Sequence, residues 1–208
     1  MSDFETVSMG ELTDLFNETP ILKKAISIKT QSRREIRKIN SEAHLKEILP
    51  EVVLTGDAWH VLSCGDIDSL SFLRHLSKHE NLDYVLLSTW CMGNEDVKEL
   101  ASMLHSGIIK TFDAYVGEIF PSQYSAAHTM ICELAKEVGG RVAVFKNHSK
   151  IFLCEGVSGH KTVIESSANI NTNPRCENTV ITADDNLFDY YKSYFDGIKS
   201  FNRDFDTK

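Results

Sequence analysis

With 208 residues, 42% of them hydrophobic and 25% charged, the chain has the make-up of one soluble globular domain, or one domain with an appendage. It contains no apolar run of about 18 residues, which argues against a helical membrane span. Met1–Glu5 has neither the basic nor the apolar region of a secretory signal, so a cytoplasmic location is expected. The formal net charge of −8 counts against tight binding of a nucleic-acid duplex and leaves single-stranded or short polyanions as the better fit. The five cysteines are odd in number, widely spaced and never C-x-x-C, which speaks against a disulfide framework or zinc ribbon and for a reducing compartment.

Residues 1–48 read as an N-terminal helical extension and residues 49–208 as the main domain. Ser8–Phe16 has a capping-type start and apolar residues at helical spacing, and Pro20 breaks the pattern. A basic helix is predicted over about Ser32–Ile48, ending before Pro50. Charge is uneven here. Residues 1–20 hold acids and no Lys or Arg, whereas residues 22–46 carry Lys23, Lys24, Lys29, Arg33, Arg34, Arg37, Lys38 and Lys46 against Glu35, Glu42 and Glu47. Such a segment suits either the steering of a polyanion or a solvated helix face.

From about Glu51 strands and helices alternate. Strands are predicted at Ala58–Ser63, Tyr84–Thr89, Ile108–Val116, Arg141–Lys146, Lys150–Cys154, Thr162–Glu165 and Thr179–Thr182. Helices are predicted at Asp66–Lys78, Glu95–His105, Gln123–Val138 and Asp184–Phe201. The helix over Gln123–Val138 stops at Gly139-Gly140, and Gly156–Gly159 reads as a hairpin turn. The alternation implies an α/β fold: a mixed, mostly parallel sheet flanked by helices on both faces.

One constellation carries chemistry. His148 and Lys150 alternate at the head of an apolar strand, and Ser167 and Asn169 alternate at the end of the next. Side chains on a strand change face with period two, so each pair shares a face. Glu177-Asn178 then leads into a further strand. A neutral imidazole is a competent nucleophile at neutral pH. Lys150 with Ser167 and Asn169 suits the oxygens of a phosphodiester, and a carboxylate such as Glu177 can orient the imidazole.

In that order, H-x-K, an acid seven residues after the His, S-x-N and E-N resemble the phospholipase D superfamily, most closely its small single-motif bacterial endonucleases. The resemblance spans about residues 52–205, with its specific content in 148–178. It implies that residues 49–208 form a phospholipase D-like catalytic domain. It assigns His148 as the phosphohistidine-forming nucleophile, Lys150, Ser167 and Asn169 as the phosphate-binding groups, and Glu177 as the acid orienting His148. Glu155 stands where the family has Asp, and Ser166 where it has Gly. No metal or other cofactor is implied. Because the family needs two copies of the motif and this chain has one, the resemblance also implies a homodimer with His148 of each copy in one site. A metal-independent nuclease follows, with a catalytically silent phosphate-binding module or a lipid-acting phospholipase as alternatives.

The chain supplies its own control. His44-Leu45-Lys46 is also H-x-K with Glu51 behind it, but on a predicted helix and without S-x-N, so it reads as chance. His75 and His79 at i, i+4 read as a surface helix in preference to a metal site. Trp90, after a buried strand, suits stacking on a base or a place in the pocket rim.

Overall fold

The computed structural model describes residues 33–171, 175–201 and 206. The expected helix over Ser8–Phe16 and the break at Pro20 lie outside them. In chain order the elements are α1 (Arg33–Ile48), β1 (Ala58–Cys64), α2 (Ser69–Ser77), β2 (Leu82–Thr89), α3 (Asn94–His105) and β3 (Ile109–Gly117). A short α4 (Phe120–Gln123), α5 (Ser125–Glu137), β4 (Arg141–Phe145), β5 (Ile151–Gly156), β6 (Lys161–Ser166), β7 (Cys176–Thr182) and α6 (Asp185–Asp196) follow.

The seven strands form one sheet in the order β1–β7–β6–β5–β2–β3–β4. It is mixed and flanked by helices on both faces, as the patterning predicts. The balance of directions differs from expectation. Among the described strands, parallel pairing is confined to β2–β3 and β3–β4, while β1–β7, β7–β6, β6–β5 and β5–β2 run antiparallel. The connections explain this. A parallel neighbour needs a crossover of a dozen or more residues, usually a helix. α3 supplies one after β2, and α4 with α5 supply one after β3. The hairpin between β5 and β6 and the stretch between β6 and β7 are too short for a crossover.

Successive residues of the central strands feed opposite faces. On one face Val85, Leu87, Phe112 and Phe152 pack with Leu45 of α1, Leu73 of α2, Leu100 of α3 and Ile131 of α5. On the other, Leu86, Tyr115, Leu153 and Val163 pack with Phe188 and Phe195 of α6. The aromatic helix that closes the chain therefore covers the second face. Asp184 starts it, its side chain accepting from the Leu187 N–H at 2.8 Å.

α1 shares the first of these cores. Leu45 is fully buried, and Ser41 Oγ donates to the Asp66 carbonyl at 2.8 Å. Its cations face inward on acids of the body. Arg34 meets Asp96 at 2.7 Å and Glu99 at 3.5 Å, Arg37 meets Asp68 at 2.8 Å, and Lys38 meets Glu99 at 3.7 Å. These three side chains hold the helix in place and do not form an open polyanion-binding stripe. Among the described residues no helix is long and apolar enough to cross a membrane.

Candidate active site

Residues 147–150 lie just ahead of β5, not within it. The side chain of Asn147 shapes this approach. Its Oδ1 accepts from Ser149 N at 2.9 Å and from Ser149 Oγ at 2.7 Å, an Asx-type turn. Its Nδ2 donates to Ser88 Oγ at 2.9 Å and to the Tyr115 carbonyl at 2.8 Å. Asn147 is buried, and these bonds offset the cost of taking its amide out of water. They also pin the turn to β2 and β3 near their carboxyl ends, where ligands collect in α/β sheets.

Lys150 rejoins the ladder, its carbonyl accepting from Ser166 N at 2.9 Å. Its Nζ lies 3.1 Å from His148 Nδ1 and 2.5 Å from the His148 carbonyl oxygen. The two residues are brought together as the alternation predicts, although the turn sets their spacing. His148 is exposed, while Lys150 is 7% exposed. Burial lowers the Lys150 pKa, and the charges of Cys91 and Glu177 oppose the shift. Cys91 is itself pushed up by burial and stays a neutral thiol at neutral pH. Glu177 therefore carries the countercharge.

β6 ends at Ser166, so Ser167 and Asn169 sit in the turn beyond it instead of alternating on a strand. Ser167 exchanges backbone and side-chain bonds with Asn178 of β7, at 3.0 Å to its carbonyl and 3.1 Å from its N–H. Ser167 Oγ also donates to the Glu177 carboxylate. Asn169 is anchored elsewhere. Its carbonyl accepts from Ser69 Oγ at 2.9 Å, and its Oδ1 lies 3.5 Å from Thr89 Oγ1. Thr89 Oγ1 in turn accepts from Ile170 N at 3.2 Å.

The segment that leaves β2 joins the two halves of the motif. Ser88 Oγ is 2.6 Å from Ser149 Oγ, Thr89 holds the S-x-N turn, and Trp90 lies against His148 with ring centroids 5.5 Å apart at 45°. Gly117 closes the floor. A Cβ there would stand 2.6 Å from Trp90 Cδ1 and 3.1 Å from the Asn147 carbonyl oxygen, so nothing larger fits without moving the site. The N-x-S spacing of Asn147 and Ser149 is a local turn signal in the sequence. Gly117 and Thr89 carry no such signal, since their roles arise from contacts across strands.

Other candidates separate cleanly. Glu155 stands opposite Lys161 near the far end of β5, about 16 Å along the strand direction from Lys150. His44 is exposed on α1, 3.3 Å from Asp66, and its H-x-K is helical. His75 is buried with Nε2 2.7 Å from the Pro50 carbonyl oxygen, and His160 Nε2 lies 2.9 Å from the Val53 carbonyl oxygen.

No sequence-family model and no curated protein matches the chain. Solved structures do. A phospholipase D family member, Nuc from Salmonella typhimurium, superposes with a TM-score of 0.50 at 15% identity, over 67% of this chain and 91% of its own. The protein has the phospholipase D-like fold. NucT from Helicobacter pylori superposes with a TM-score of 0.50 at 17% identity, over 67% of this chain and 94% of its own. Polyphosphate kinase from Porphyromonas gingivalis gives 0.51 at 16% identity over 77% of this chain, but only 31% of the kinase is covered. A single phospholipase D-like lobe thus accounts for nearly all of Nuc and NucT and for under a third of the kinase.

Proposed function

We propose that the chain is a metal-independent phosphodiesterase that cleaves nucleic acid through a phosphohistidine on His148, in a site shared by two copies. The observation that supports this most is the placement of a desolvated Lys150 ammonium 3.1 Å from the His148 ring, within reach of the charge of Glu177. Substrate-free, Lys150 donates to Nδ1, which leaves the proton of a neutral ring on Nε2. A phosphate oxygen is a better acceptor for an ammonium than imidazole is. Substrate then draws Lys150 onto the phosphate, Nδ1 takes the ring proton under the carboxylate of Glu177, and Nε2 is freed to attack.

Attack forms the N–P bond and breaks the P–O bond to the leaving group, whose oxygen takes a proton from the doubly protonated ring of His148 of the second copy, which is left neutral. That histidine then removes a proton from water, which cleaves the N–P bond. Lys150, Ser167 and the amide of Asn169 hold the charged oxygens, and such fixed groups are the largest part of catalysis at many sites. A polyphosphate kinase shares the fold, so the fold alone does not select hydrolysis over phosphoryl transfer. The exposed position of His148 suits a polymeric substrate. No amphipathic anchor for a lipid surface is legible in the sequence, which favours nucleic acid over lipid.

The test is cleavage of labelled single- and double-stranded DNA, RNA and a chromogenic phosphodiester, each with EDTA present. The expected result is cleavage by the wild type, strongest on single strands, and none by His148→Ala. No cleavage of any substrate, or its loss in EDTA, overturns the proposal.

A further inference from the structure

Cys64 and Cys176 are 112 residues apart in the chain and directly opposite one another in the sheet, as register partners at one end of the antiparallel β1–β7 pair. Both are exposed free thiols, while Cys91 and Cys154 are buried and Cys132 is half-buried. Directly opposed residues of an antiparallel pair have Cα atoms roughly 4.5 or 5.5 Å apart, depending on the hydrogen-bonding position. Either spacing lies inside the range of about 4.4–6.8 Å that a disulfide spans. The Cys64 thiol is also within hydrogen-bond reach of the Cys176 sulfur. The two thiols therefore lie on one face of the pair, at a backbone spacing that a disulfide bridges.

We propose that Cys64 and Cys176 are a redox-active dithiol that a hydroperoxide closes to a disulfide within one chain. One thiolate attacks a peroxide oxygen, forming a sulfenic acid and releasing water or alcohol. The second thiolate attacks that sulfur and expels the hydroxyl as water. The two sulfurs together lose two electrons, the peroxide O–O bond is reduced, and two protons complete the products. The position gives the bond a consequence. β1 is an edge strand held to the sheet through β7, and Glu177, next to Cys176, stands opposite Ser63, next to Cys64. Closure staples the edge strand to the strand that bears the acid of the candidate site. This inference is independent of the proposed reaction.

Trypsin separates the thiols, leaving Cys64 on residues 47–74 and Cys176 on 176–192, with each of the other three cysteines on a further peptide. The reduced full chain, mixed with isotope-labelled chain, is treated with hydrogen peroxide, alkylated, and digested without reductant. The expected product joins 47–74 to 176–192 within light or within heavy chains, is undone by dithiothreitol, and slows backbone hydrogen exchange of β1 and β7 by on the order of tenfold. In Cys64→Ser, Cys176 stops at a sulfenic acid trapped by dimedone, and exchange is not slowed. Light–heavy linkage, or oxidation of Cys176 in the wild type to sulfinic acid at the rate seen in Cys64→Ser, overturns the proposal. The wild-type peptide result stands even if the variant folds poorly.

Discussion

At the scale of single residues, the candidate site depends on a side chain that carries no chemistry. Asn147 satisfies Ser149, Ser88 and the Tyr115 carbonyl at once. In Asn147→Ala those partners stay buried without it, which costs about 1–3 kcal/mol of stability in denaturant unfolding. Activity is expected to fall by roughly a hundredfold, because a displacement of His148 by an ångström is enough for that. Lys150 makes a second prediction. Burial lowers its pKa, so the ammonium loses its proton at a lower pH than free lysine, whose usual value is 10.5. The alkaline limb of the rate–pH profile should therefore fall below that value. In Lys150→Arg the limb should vanish from the accessible range while kcat falls, since a guanidinium stays charged but does not match the ammonium's geometry. His148, Lys150, Ser167, Asn169 and Glu177 were all legible in the sequence as types at set spacings. Their supports were less so, because Ser88 and Thr89 reach the motif only across neighbouring strands.

At the scale of elements, α1 shows why a charge run alone is ambiguous. Its cations read equally well as a polyanion-steering face, and only the acids at Asp68, Asp96 and Glu99 decide otherwise. Arg34→Ala should cost about 1–3 kcal/mol at neutral pH by leaving the Asp96 carboxylate without its ion partner, while Glu99 keeps Arg74 and Lys38. The pH dependence has a definite sign. Burial raises the Asp96 pKa, with Arg34 opposing. A raised carboxyl pKa means the folded state binds the proton more tightly, so its stabilising effect is present in acid and is lost as pH rises through the folded value. Removing Arg34 enlarges the shift. The deficit of the variant, measured by urea unfolding, should shrink on acidification as Asp96 is protonated. A deficit that is flat with pH would sink this account. Strand and helix positions were legible to within a few residues from period and turn signals. The ends of β5 and β6 were not, because Asn147 and Ser167 take the chain out of the ladder through side-chain bonds that propensity does not register.

At the scale of the whole molecule, the proposed reaction needs two histidines and each chain offers one in this motif. If one site is built from two copies, only dimers of two wild-type chains are active. Mixing wild type with His148→Ala, with exchange allowed, should then lower activity as the square of the wild-type fraction. A linear fall, or a monomer in sedimentation at micromolar concentration, would count against the shared site. The basis is a C2 axis through the site, which makes one patch complementary to itself.

The sequence by itself determined that strands and helices alternate, that the sheet is mixed, and that a histidine, a lysine, a serine, an asparagine and a glutamate recur at meaningful spacings. These are local properties, set by period, turn chemistry and residue type within a few dozen positions. The tertiary structure decided the balance of strand directions, the use of α1's cations, the seat of Trp90 on Gly117, and the meeting of Cys64 with Cys176. Each of those joins residues far apart in the chain, and such pairings follow from strand order and register, which no local pattern encodes.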